Sequence, residues 1–160
     1  MAKLKFLILH CTATPEGREV TASDIRNWHL SPPPKGRGWK KVGYSGIFHL
    51  DGSLEILTPF DEDDDVESWE ITNGAIGTNS FSRHVVYAGG MDKANKLPKD
   101  TRTEAQKLAM ANFIKQTIAA HPKILIAGHN QFAEKACPSF DVPMWLRIIG
   151  VPEKNIYIKK

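Results

Sequence analysis

The sequence predicts an α/β fold: a single domain spanning residues 1–160, with a central mixed β-sheet flanked by helices on both faces. Three observations predict it. Short apolar runs alternate with longer amphipathic stretches, the order that lays helices over a sheet. An Asp-Gly pair separates two strand-like runs, which marks a hairpin and so at least one antiparallel pairing. A chain of 160 residues, 41% of them hydrophobic, also suffices for one core that buries roughly 70% of the unfolded surface without a disulfide framework.

The elements follow in order. Residues 4–9 form a short apolar run that reads as a buried strand, ended by Cys11-Thr12-Ala13-Thr14-Pro15, with His10 at its C-terminal end. Thr21 followed by Asp24 makes a helix N-cap with a first-turn carboxylate. Ile25, Trp28 and His29 then recur at helical spacing until Pro32-Pro33-Pro34 stops the helix. A Gly- and Lys-rich loop over residues 36–43 carries Trp39 and leads into the run 44–50, which places Tyr44 at the start of a strand. Asp51-Gly52 separates that run from residues 53–57, the strongest hairpin signal in the chain. The acidic run 61–67 reads as a solvated loop. Residues 83–88 form a third core strand that stops at Gly89-Gly90. Thr103 with Gln106 makes a capping box opening a long helix, whose apolar face is read as Leu108, Ala109, Phe113, Ile114, Thr117 and Ile118, and Pro122 marks its end. Residues 123–127 form a fourth strand that delivers Gly128-His129. A last short helix follows Asp141, with Pro143 in its first turn and Gly150 as its stop.

Composition excludes several classes of function. The formal charge of +3 arises from 21 basic and 18 acidic residues, too weak an imbalance for a nucleic-acid-binding signature. No window approaches the roughly 20 apolar residues of a membrane span, so no membrane insertion is expected. The N-terminal apolar run is broken by Lys5 and lacks a small-residue cleavage site, so the expectation is cytoplasmic synthesis without a signal peptide. Cys11 and Cys137, the only cysteines, permit at most one disulfide and do not fix a redox compartment. Nothing in the sequence demands more than a monomer.

His10 and His129 each end an apolar strand, and Cys137 lies eight residues beyond His129. Neighbouring strand ends lie close together in a sheet, so two imidazoles and a thiolate can converge there. Such a His₂Cys set suits Zn²⁺ and leaves a fourth tetrahedral position open, the arrangement of a catalytic site. Spacing alone does not exclude the histidines at 29, 49, 84 and 121.

Three stretches stand in order along the chain: residues 8–14 (Ile-Leu-His-Cys-Thr-Ala-Thr), 38–44 (Gly-Trp-Lys-Lys-Val-Gly-Tyr) and Gly128-His129 through Lys135-Ala136-Cys137-Pro138-Ser139-Phe140-Asp141. Together they resemble the family of zinc N-acetylmuramoyl-L-alanine amidases, which includes the amidase-type phage lysozymes and the peptidoglycan recognition proteins. Asp24 to His29, Asp51 to Glu55 and Val86 to Gly90 match as well, so the resemblance covers roughly residues 5–148. It implies His10, His129 and Cys137 as Zn²⁺ ligands, with Cys11 outside the ligand pattern. It also implies Tyr44 and Lys135 as catalytic polar groups, although by residue type alone they read as a core-edge aromatic and a solvated loop cation. The implied activity cleaves the amide between N-acetylmuramic acid and L-alanine in peptidoglycan, as a phage or prophage lysis enzyme.

The chain departs from the family in two places. Where relatives commonly have Gly-Ala-His, it reads Gly74-Ala75-Ile76, and the position after Gly43-Tyr44, often His in phage enzymes, is Ser45. Trp39 and Asn79 are read as contacts for glycan or stem peptide. Glu70 and Glu134 are candidates for a general base by sequence proximity only. The rival readings are a non-catalytic peptidoglycan-binding module, whose members typically lack the cysteine ligand, and a recycling amidase acting on soluble muropeptides. A second role in binding a host polymerase is implied by the phage resemblance, with no residue here to support it.

Overall fold

The computed structural model describes residues 1–159. Its elements run β1 (Ala2–Lys3), β2 (Phe6–Cys11), β3 (Thr14–Pro15), α1 (Ala22–Leu30), β4 (Gly46–Phe48), β5 (Leu54–Ile56), β6 (Asp65–Val66), β7 (Ser82–Tyr87), β8 (Gly90–Met91), α2 (Glu104–Ala120), β9 (Leu125–Gly128) and α3 (Val142–Ile148). Five strands make the main sheet in the order β5-β4-β7-β2-β9. β4, β7, β2 and β9 are parallel, and β5 pairs antiparallel with β4 through the hairpin. The sheet is therefore mixed, as the sequence predicts.

Every residue of β2 and β7 is buried, the pattern of parallel strands covered on both faces. On one face Leu7, Leu9, Val85 and Tyr87 pack against Met110 and Ile114 of α2 and Leu146 of α3. On the other, Ile47 and Val86 pack against Ile25 of α1, and Phe6, Ile8 and Ala127 meet the half-buried Phe132 and Tyr157. Helices thus cover both faces. All three helices are capped where the sequence predicts: Thr21 and Thr103 form complete capping boxes with Asp24 and Gln106, and the Asp141 side chain accepts the Met144 N–H.

The differences from expectation have local causes. The first core strand begins at Phe6 because Leu4 and Lys5 donate their N–H groups to Asp64 and Phe81 instead, each at 2.8 Å. Tyr44 precedes its strand, which starts at Gly46, and Ser45 anchors the approach by donating its N–H to His84 O at 2.7 Å. The hairpin closes with His49 N–H on Ser53 O at 2.9 Å, and Gly52 takes φ 88°, the left-handed region glycine tolerates. Part of the acidic run is not loop: Asp65–Val66 pairs with Ala2–Lys3, burying Val66 while the neighbouring carboxylates stay in water. On α2, Leu108 is 65% exposed, and the buried stripe runs through Gln106, Met110, Ala111, Ile114 and Thr117. Gln106 belongs in it because its amide donates to the carbonyls of Phe48 and Ala88, at 3.2 and 3.1 Å.

Candidate metal centre and its cleft

The parallel register pairs Leu9 of β2 with Gly128 of β9, so the residues that follow them, His10 and His129, emerge side by side. Their ring centroids are 4.7 Å apart. A Cβ at Gly128 would lie 2.7 Å from Val142 Cγ2, so only glycine lets the chain pass there before turning. Cys137 arrives from the loop after β9. It sits against the end of β2, where its Sγ accepts the Cys11 N–H at 3.2 Å and lies 3.7 Å from His10 Nδ1. The loop is pinned by Tyr87, whose hydroxyl donates to Pro138 O at 2.6 Å, and by Ser139, whose hydroxyl donates to Gly90 O at 2.9 Å.

One potential ligand atom from each of His10, His129 and Cys137 falls within 4.8 Å of the others. The four histidines that spacing left open lie outside this group: His49 meets Glu19 and Glu55, and His121 meets Glu62 and Asp64. His29 accepts the Gly43 N–H at Nδ1, 2.9 Å away, and so holds the loop entering Tyr44. His84 hydrogen-bonds His10. The three donors fit a zinc ion. Tetrahedral coordination with bonds of about 2.0–2.3 Å separates ligand atoms by about 3.3–3.6 Å, close to the 3.7 Å between His10 Nδ1 and Cys137 Sγ.

The electrostatics keep the imidazoles in the ligating, uncharged form. Burial, followed by the nearby His84, His129 and Lys135, holds the His10 pKa well below its usual value. Burial and Lys135 lower that of His129. Hydrogen bonding between the two thiols, together with burial, pushes the Cys137 thiol up and, against burial, brings Cys11 down to about 7. Tyr44 lies beside the group, its ring centroid 5.2 Å from that of His10, and burial pushes its pKa up, so the phenol keeps its proton.

Above these residues lies a cleft with a cavity of about 220 Å³, lined among others by His29, Trp39, Tyr44, Gly74, Ile76 and Lys135. A second cavity of about 250 Å³ adjoins Ala13, Trp28 and Cys137. Both are lined by Arg37, Tyr44, His129 and Lys135, which makes them two arms of one groove. Trp39 stands in the wall, 4.9 Å from the His29 ring, with the Arg37 guanidinium 5.0 Å from its own ring. Ile76 is 99% exposed at the rim. Asn79 is not among the groove-lining residues; its side-chain oxygen is used inward, accepting from Ala75 N at 3.0 Å and lying 3.0 Å from His84 Nε2. Neither candidate base borders the groove. Glu70 is buried elsewhere, accepting the N–H groups of Asp61 and Glu67, and Glu134 is exposed. The sequence reading missed His84 as part of the site. Given the parallel β2–β7 register, the period of two puts residue 84 on the sheet face that carries His10, but local periodicity does not supply that register.

No protein-family model matches the chain. Among curated proteins it is similar to the endolysin of Enterobacteria phage K11, 33% identical over 155 residues that span 92% of this chain and 93% of the relative. The endolysin of Klebsiella phage KP32 is 32% identical over 153 residues, 91% of this chain and 92% of the relative. Among solved structures, the Ph2119 endolysin of a Thermus scotoductus bacteriophage superposes with TM-score 0.68 at 20% identity, covering 94% of this chain and 87% of that one. The N-acetylmuramoyl-L-alanine amidase LysC from Clostridium intestinale gives TM-score 0.70 at 16% identity, covering 94% and 87%. Peptidoglycan recognition protein LE, solved in complex with tracheal cytotoxin, gives 0.63 at 14%, covering 86% and 75%. On the strength of the curated relatives the chain belongs to the phage endolysin family, and it carries the fold common to amidase endolysins and peptidoglycan recognition proteins.

Proposed function

We propose that the chain is a zinc-dependent N-acetylmuramoyl-L-alanine amidase that cuts the bond between N-acetylmuramic acid and L-alanine in peptidoglycan, acting as a phage or prophage lysis enzyme. The observation that carries this reading is the convergence of His10, His129 and Cys137 at a groove lined by His129, Cys137, Tyr44 and Lys135, with His10 buried behind it, in a chain of the endolysin family. His10, His129 and Cys137 would hold the zinc, which would supply Lewis acidity and activation of a water molecule at neutral pH. The protein supplies the rest. His10 and His129 present neutral nitrogens, and Cys137 would hold the cation as a thiolate. Lys135 brings a positive charge to the groove, where it stabilises the oxyanion that develops at the scissile carbonyl; one such donor contributes about 3 kcal/mol. Tyr44, kept protonated by burial, donates a hydrogen bond that orients the water or passes a proton toward the leaving amine. Trp39 offers a face for a sugar ring or a stem peptide.

No helix among the described residues is long and apolar enough to cross a membrane. The proposed enzyme is made in the cytoplasm and meets the wall after release, a reading supported by the chain's likeness to phage endolysins. The test is incubation of metal-loaded protein with purified peptidoglycan and mass spectrometry of the products. Release of stem peptides beginning with L-alanine from intact glycan is expected. Tight binding to the wall without release would make the chain a recognition module instead. A marked preference for soluble muropeptides over whole sacculi would point to recycling rather than lysis.

A further inference from the structure

β7 runs parallel to β2 with Ile8 opposite His84 and His10 opposite Val86, so His84 and His10 project from the same face of adjacent strands. His84 is fully buried. Its Nδ1 lies 2.9 Å from His10 Nε2, its Nε2 lies 3.0 Å from Asn79 Oδ1, and neither partner is a carboxylate. A cationic imidazole has nothing there to offset the cost of desolvation, so the ring is neutral and carries one N–H.

The direction of the whole chain of hydrogen bonds can be deduced from its far end. The Ala75 N–H donates to the Asn79 side chain at 3.0 Å. A backbone amide only donates, so the atom it meets is the oxygen, and the orientation of the Asn79 amide is fixed. That oxygen accepts again, hence His84 carries its proton on Nε2 and offers a lone pair at Nδ1. His10 must then donate from Nε2, which leaves its Nδ1 bare. Nδ1 is the nitrogen that faces Cys137 Sγ at 3.7 Å. The surrounding backbone is shaped for this ring, since a Cβ at Gly74 would lie 2.3 Å from two of its atoms.

We propose that His84, oriented by Asn79, is a positioning residue that fixes the tautomer and ring plane of His10, so that a metal-ligating lone pair at Nδ1 is in place before any cation arrives. Ligating histidines almost always donate their second N–H to a partner, and losing that partner typically costs about 10–100-fold in metal affinity or activity. Here the partner is a neutral histidine, which orients His10 without placing a second negative charge beside the thiolate. The inference rests on the zinc site proposed above.

Two measurements test it. Long-range ¹H–¹⁵N correlations on the metal-free, unsubstituted protein should show both His10 and His84 protonated at Nε2; an Nδ1-protonated His10 overturns the proposal. Chelator competition should show His84→Leu, which keeps the bulk against Gly74 but has no acceptor, binding zinc about 10–100-fold more weakly. His84→Gln, which restores an acceptor, should recover part of that loss. Unchanged zinc affinity in a folded His84→Leu protein reduces His84 to packing and overturns the role. If the unsubstituted protein retains no zinc while His10 shows the stated tautomer, the metal-site reading fails and the hydrogen-bond assignment stands.

Discussion

Cys11 and Cys137 are neighbours in space, yet only the second points its sulfur at His10 Nδ1. Cys11 directs its thiol to Ser139, 3.7 Å away, and offers its backbone N–H to Cys137. Metal analysis should therefore find about one zinc per chain in Cys11→Ala and a substoichiometric amount in Cys137→Ala; the reverse pattern would sink the ligand assignment. Lys135→Met keeps the aliphatic stem and removes the charge. It should lower kcat by about 10²–10³-fold with zinc content unchanged, and Tyr44→Phe should lower it in the same direction, both measured as the rate of peptide release. At this scale the sequence was legible where a motif names a residue by its neighbours: it singled out His10, His129 and Cys137, which the structure brings together. It was not legible where a role depends on which way a side chain turns. Asn79 sits in a loop that suggested contact with substrate, but its oxygen faces His84, and no local pattern encodes that rotation.

Elements were legible wherever capping chemistry marks them, and the long helix shows what blurs the reading. A polar glutamine in the buried stripe disguises the true face, because Gln106 satisfies sheet carbonyls rather than contacting water. Two substitutions on α2 separate the faces. Met110→Ala should cost about 2–5 kcal/mol, whereas Leu108→Lys should stay within about 0.5 kcal/mol, both by urea denaturation of metal-free protein. The β4–β5 hairpin carries a titratable link: His49 bridges Glu19 and Glu55 at 3.0 and 2.9 Å. Burial opposes its charge, but the hydrogen bonds to Glu55 and Glu19 outweigh burial and raise its pKa. A raised folded-state pKa contributes stability that is fully present below the unfolded value of about 6.5 and lost as pH rises through the folded value. Both carboxylates are half exposed, so the effect should be under about 1 kcal/mol. Denaturation at pH 6 and pH 8.5 should show it in the unsubstituted protein, and His49→Gln should abolish that part of the difference.

Across the whole molecule, the groove opens beside the C-terminal ends of the parallel strands β2 and β9, with Tyr44 and Gly74 reaching it from the segments that lead into β4 and β7. Ligands of open α/β sheets characteristically bind at this end of the strands. The sequence suggested strands and their approximate limits, but the order β5-β4-β7-β2-β9 depends on pairings between residues about 40 to 120 positions apart, which local periodicity does not record. Because the candidate metal residues come from β2, the end of β9 and the loop beyond it, a bound ion ties three separate segments together. Zinc at a thousandfold excess over its dissociation constant should stabilise the native state by about 4 kcal/mol. Removing it with a chelator should therefore lower the Tm by about 8–16 °C in calorimetry. The fit between Gly74 and His84 also has a bearing on how such an enzyme diversifies. The two positions are sterically coupled: a side chain gained at 74 collides with the ring, and a ring lost at 84 leaves a hole behind the candidate metal site. A lineage or an engineer wishing to change the wall of the groove at 74 must vacate 84 in the same step, so Gly74→Ala should be tolerated in a His84→Gly background and poorly tolerated alone.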